Sequence, residues 1–274
     1  MNEPRTTSPD GLVDYSSIVT EENDDMTEPM EHRREYHRQM DQLKADILRL
    51  GGMVIETIPR GTQVLLTGDL KVAKDLIAYD AQIDKLSIDI EERVYLIIAR
   101  QAPAASELRH LVTISKLVAE LERSADLMVN VSKAARRMYG SEMSPRIRGV
   151  ASSMAKEAQK LLQYSLDAYA DSDESLAAAL DDIDDALDAL NVDMVEAIFA
   201  AHTDGAIDLQ AAVQLALVAR YYERIGDHAV NIGNRVIYMV TGWMPEHDVV
   251  DDESVDPVEL PDPGPAPGEP EATG

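Results

Sequence analysis

The sequence predicts an all-α fold, built as two tandem three-helix bundles. Three observations carry this. Between residues 30 and 243 the apolar residues recur at helical spacing. Aromatic residues make up only 4% of the chain, with one Phe and one Trp, so Ala, Leu, Ile, Val and Met must build the core. That palette favours helices over strands. Finally, one acidic row is written twice, as ERSADLMVNV at 122–131 and ERIGDHAVNI at 223–232. Glu223 minus Glu122, Asp227 minus Asp126 and Asn231 minus Asn130 all give 101.

The elements follow in order. A first helix starts near Met30, with Tyr36, Met40, Leu43, Ile47 and Leu50 on one face. Gly51 and Gly52 weaken it, Pro59 with Gly61 kinks or breaks it, and a short piece follows over 62–66. Thr67-Gly68-Asp69 is a turn and N-cap signal. The second helix spans 69–100 and ends at Gln101-Ala102-Pro103; the third spans 104–138 and is closed by Gly140. Pro145 opens the fourth, which runs to 170. Asp171-Ser172-Asp173 caps the fifth, 174–201, and Gly205 precedes the sixth, 206–240, which ends at Gly242. Six helices with short connections make an antiparallel arrangement, and the repeat divides it three plus three. The domain reading is a disordered leader over 1–29, a first repeat over 30–143, a second over 144–243, and a disordered acidic Pro-rich tail over 244–274.

Composition excludes several classes. The net charge of −26 repels nucleic-acid backbones and favours divalent cations or basic protein surfaces. The absence of Cys rules out disulfides, thiolate metal sites and thiol catalysis. No apolar run reaches membrane-spanning length and the N-terminus lacks a secretory signal pattern, so a cytoplasmic protein is expected.

The repeat predicts a second acidic pair. Asp80 and Asp84 plus 101 give Asp181 and Asp185, and Leu86 gives Leu187. This helix is rich in Asp (181, 182, 184, 185 and 188), so the assignment stays open among Asp181, Asp184 and Asp185. Carboxylates four residues apart share a helical face and repel one another unless something compensates. Two antiparallel helices with such pairs form a cluster of four. The candidate metal ligands are therefore Asp80, Asp84, Glu122 and Asp126 in the first repeat, and Asp181, Asp185, Glu223 and Asp227 in the second. Asn130 and Asn231 add neutral oxygens one turn further on. An acidic pair is usually a solvated face, but surface charge rarely keeps register between repeats.

Three stretches carry a family resemblance: LVARYYERIGDHAVNIGNRVIYMVTG at 217–242, ARQAPAASELRHL at 99–111, and DAQID at 80–84. Together they resemble the PhoU family of phosphate-specific transport accessory proteins. The resemblance implies paired three-helix bundles whose E/D-x-x-x-D motifs hold Fe, Zn, Mn or Mg. It also implies a homodimeric, non-enzymatic regulator. Its partners would be the ATPase subunit of a phosphate ABC transporter and a sensor histidine kinase, with starvation genes repressed when phosphate is plentiful. It would meet the membrane only through those partners. The first repeat departs from the family pattern, with Ala125 where Gly is usual.

Two other functions remain in view. One is an acidic helical scaffold, with or without metal. The other is a carboxylate metalloenzyme of diiron type, which needs an E-x-x-H on each of two helices. Glu107-x-x-His110 supplies one, but its repeat partner is Asp208 with Ala211. Neither a phosphate-binding P-loop nor a Ser nucleophile motif is present.

Overall fold

The computed structural model describes the backbone of residues 16–243 and the side chains of residues 33–243. The expected tail at 244–274 and the first fifteen residues of the expected leader lie outside the described residues. Seven helices follow in order: α1 Ser16–Thr67, α2 Leu70–Gln101, α3 Ala105–Arg137, α4 Pro145–Asp171, α5 Glu174–Ala178, α6 Leu180–Thr203 and α7 Leu209–Thr241. There is no strand among the described residues, and no described helix is long and apolar enough to cross a membrane.

α1, α2 and α3 form one three-helix bundle, and α4, α5/α6 and α7 the other. The two join through α3 against α7 and α1 against α4. One hydrophobic cluster runs through both, from Leu43, Ile47 and Val54 to Leu215, Tyr222 and Ile232. α3 and α7 are the central helices, which is why so many of their residues are buried.

Helix ends follow the expected chemistry. Asp69 accepts hydrogen bonds from the Lys71 and Val72 amides at 2.8 and 3.2 Å. Ser144 precedes Pro145 and accepts from Ile147, and Asp173 accepts from Leu176. Asp208 accepts from Ala211 at 2.7 Å, so α7 starts three residues later than the sequence suggests.

Two expectations about helices need correction. The first helix does not break at Pro59: α1 is continuous and starts at Ser16, ahead of Met30. Pro59 is exposed, while Val54, Ile58, Val64 and Leu65 on either side are anchored in the core. The two glycines are contact points. A Cβ at Gly51 would lie 2.3 Å from Leu166 of α4, and one at Gly61 2.4 Å from Met128 of α3. Packing outweighs the local cost of Pro and Gly here. Conversely, the fifth predicted helix is divided at Ala179 into α5 and α6. There the Ala177 carbonyl sits 2.9 Å from where a Gly233 Cβ would be, so α5 turns to lie directly on the α7 backbone.

Candidate functional site

The acidic row lies along the outer groove between the second and third helix of each bundle. In the first repeat, Asp80 and Asp84 come from α2, Glu122 and Asp126 from α3. Burial pushes the Asp80 carboxyl up to about 6, and the negative charges of Asp84, Asp126 and Glu122 add to the shift. Glu122 is raised by burial and then by Asp126 and Asp84. Asp84, Glu122 and Asp126 therefore all stand within electrostatic reach of Asp80.

The second groove holds a different set. Asp184 is pushed up to about 7, by burial first and then by Asp188, Asp227, Asp181 and Glu223. Asp188 is raised by burial and by Glu223. Asp185 is exposed and is not among the charges that shift Asp227. The buried residues explain why. Leu76, Ile83, Ile90 and Val94 of α2 correspond to Leu180, Leu187, Met194 and Ile198 of α6 at an offset of 104, and all are buried. On α3 and α7 the offset is 101, as between Leu121 and Tyr222 or Val131 and Ile232. At 104, Asp80 and Asp84 correspond to Asp184 and Asp188. The match of Asp181 and Asp185 at 101 was a coincidence of an Asp-rich run, although Asp181 still stands within electrostatic reach of Asp184.

Gly226 shapes the second groove. A Cβ there would lie 2.2 Å from Asp184 Oδ1 and 2.8 Å from Leu187. The missing side chain lets the Asp184 carboxylate sink against α7, where Oδ1 is buried without a hydrogen-bond partner. The Arg220 guanidinium lies across the cluster, 2.5 Å from Glu223 and 3.7 Å from Asp227. Asn191 donates to Glu223 at 2.9 Å. Asp188, Asn191 and Arg220 were not among the candidates read from the sequence; the 104-residue register of α2 and α6 is the signal that picks out Asp188 from the Asp-rich run.

His228 faces inward instead. Its Nδ1 lies 3.0 Å from Ser124 Oγ of α3, and Nε2 lies 3.9 Å from Glu120. Burial, then Arg224 and Arg123, hold its pKa down at about 4, so the ring is neutral at pH 7. Tyr222, fully buried six residues earlier, meets the Thr62 hydroxyl at 2.7 Å. The ERIGDH stretch thus serves two purposes: its acids line the groove, and its Tyr and His neighbours join α7 to α1 and α3. Glu107 is also accounted for, since its carboxylate accepts the Ala104 amide at 3.0 Å and caps α3. That hydrogen bond gives Glu107 a structural role at the start of α3.

Each groove offers carboxylate oxygens and an orphaned or raised acid, a donor set whose chemistry fits a hard or borderline divalent cation. Among the described residues, no three His, Asp or Glu side chains are already gathered closely enough to hold one.

Comparison with known proteins settles the family. The PhoU domain model matches residues 47–135 and 151–236. The chain belongs to the PhoU family. It is 32% identical over 219 residues to the phosphate-specific transport system accessory protein PhoU homolog 1 of Mycobacterium leprae, covering 80% of this chain and 98% of that one. A Thermotoga maritima homolog 1 is 30% identical over 207 residues, 76% of this chain and 89% of that one. The crystal structure of PhoU from Pseudomonas aeruginosa superposes with a TM-score of 0.71 at 29% identity, covering 76% of this chain and all of that one. A Streptococcus pneumoniae structure, 23% identical with a TM-score of 0.70, shares the fold.

Proposed function

We propose that this protein is a non-enzymatic regulator of phosphate uptake. It couples a phosphate ABC transporter, through the ATPase subunit, to a sensor histidine kinase, and holds the starvation response off when phosphate is abundant. The observation that carries this reading is collinearity. Both repeats match the family's domain model, and the chain aligns over 98% of the length of a relative named as a phosphate-specific transport accessory protein. The doubled grooves, rather than a catalytic pocket, are the features the two repeats share.

The carboxylates then have a binding role. Asp80, Asp84, Glu122 and Asp126 would hold a divalent metal in the first groove. Asp184, Asp188, Glu223 and Asp227 would hold one in the second, with Asp181 and Asp185 at its rim; Fe, Zn, Mn or Mg suits such oxygens. A bound cation would supply charge neutralisation there, lowering the repulsion that raises Asp80 and Asp184. A homodimer and a cytoplasmic location complete the proposal. Deleting the gene and measuring starvation-gene transcripts at high phosphate tests it. Derepression, reversed by the intact gene, is the expected result; unchanged repression would overturn the regulatory reading.

A further inference from the structure

The groove of each repeat continues past its carboxylates. At 3.6 residues per turn, Ile88 and Tyr95 of α2 fall on the same stripe as Asp80 and Asp84. On α3, Leu108 and Val112 extend the stripe of Glu122 and Asp126 in the opposite chain direction. The hairpin turns at 102–104, so its antiparallel arms collect the four apolar residues at the turn end of the groove. All four are exposed, Ile88 and Tyr95 at 56% each.

The second repeat has the same feature. Under the 104 and 101 registers the equivalents are Val192 and Phe199 on α6, and Leu209 and Val213 on α7, and all four are exposed large hydrophobics, Phe199 at 70%. Single exposed apolar residues are ordinary. Here the buried positions set the two registers, and four exposed positions independently obey them. Acids flank both patches at equivalent places, Asp89 and Glu92 in one, Asp193 and Glu196 in the other.

The grooves differ in who supplies the cation. In the second, Arg220 lies on Glu223 and Asp227. Its equivalent in the first is Ala119. Arg123 pairs with Glu120 instead, and Lys133, at the far end, donates to Asn130. The second groove therefore displays how a basic side chain seats on these carboxylates, while in the first Arg123 and Lys133 act on Glu122 and Asp80 from a distance without seating on them.

We propose that the α2–α3 groove is a docking site for an amphipathic helix of a partner protein. Its apolar residues would seat on Ile88, Tyr95, Leu108 and Val112. In the metal-free protein its Lys or Arg residues would seat on Asp80, Asp84, Glu122 and Asp126, in the role Arg220 plays in the other groove, so that helix and metal are alternative occupants of these acids. From Asp80 to Tyr95 the groove is about 22 Å long at ~1.5 Å per residue, room for about four turns of partner helix.

The test uses the full chain in chelator, so that metal does not compete. The probe is a fluorescein-labelled helical peptide of about four turns, with Leu on the first half of one face and Lys on the second half. Fluorescence anisotropy should show saturable binding of one peptide per chain. Tyr95→Ser, and separately Asp84→Asn with Glu122→Gln, should each weaken it about tenfold or more. Added salt should weaken it too. Ala119→Arg should compete with the peptide, and Arg220→Ala should open a second site, raising the stoichiometry to two. Circular dichroism checks that these substitutions leave the helices intact. Failure of the peptide to bind, equal binding of a peptide with Gln in place of Lys, or indifference to Tyr95→Ser would overturn the proposal. So would sedimentation showing the wild-type chain associating with itself through this face and Tyr95→Ser abolishing it, since the occupant would then be a second copy. The transcript experiment above reads an independent property, so either proposal can fail alone.

Discussion

The two grooves use the same frame and reach different electrostatic states. Asp80 and Asp184 occupy equivalent half-buried positions, and both are raised by burial and like charge, to about 6 and about 7. In the second, Arg220 lies against Glu223 and Asp227. The other geometric difference is the residue opposite. Gly226 admits the Asp184 carboxylate to a place where Oδ1 touches neither water nor a donor. The first repeat carries Ala125 there, and no oxygen of Asp80 is buried without a partner. Repeats with one backbone plan can thus diverge through a single methyl group and a single arginine.

The largest test of this comparison concerns the register. If α2 and α6 match at 104, Ile83→Ala and Leu187→Ala remove equivalent core side chains. Each should cost about 2–5 kcal/mol in urea unfolding, whereas Leu86→Ala, at a partly buried site, should cost clearly less. Equal losses at Leu86 and Leu187, with little at Ile83, would restore the 101 register.

A smaller effect is expected from pH. The folded Asp184 binds its proton more tightly than an ordinary Asp of 3.8, so its contribution to stability is full below about 4 and is lost as pH rises through about 7. His228 acts in the opposite sense, losing stability as pH falls from 6.5 through about 4. In metal-free buffer, Asp184→Asn should therefore gain stability relative to wild type between pH 4 and 7. The gain should stay near about 1 kcal/mol, because the side chain is half exposed and screened. Thermal melts of both proteins across that range measure it, and parallel curves would remove Asp184 from the account.

The smallest change is Gly226→Ala, which converts the second groove toward the first. The new Cβ displaces only the far ends of Asp184 and Leu187, and gains helix propensity of about 1 kcal/mol, so net stability should move by less than about that amount. The clear readout is NMR titration of Asp184, whose pKa should fall toward the ordinary range as its carboxylate turns outward. An unmoved pKa would show that Gly226 does not set it.

Much of this was legible in the chain. The helices, most of their caps and the pairing of Glu122 with Glu223 and of Asp126 with Asp227 follow from spacing and turn chemistry. Asp80 and Asp84 followed as well. Pro59 misled because local propensity said break, while Val54, Ile58 and Leu65 had neighbours to hold the helix through it. Asp181 and Asp185 misled because positions three and four residues apart share a helical face. In an Asp-rich run, two registers fit the acids equally well, and the buried Leu180, Leu187 and Met194 choose between them.

The division has a physical cause. Periodicity is local information, so it specifies that a helix forms, where it ends and that one unit is written twice. The rotation of that helix about its own axis is set by which apolar stripe meets which neighbour. Rotation put Asp184 and Asp188 into the groove, laid Arg220 across Glu223 and turned His228 inward to Ser124. It also left Tyr95 and Phe199 at matching places on the outside, which only packing against the rest of the bundle could decide.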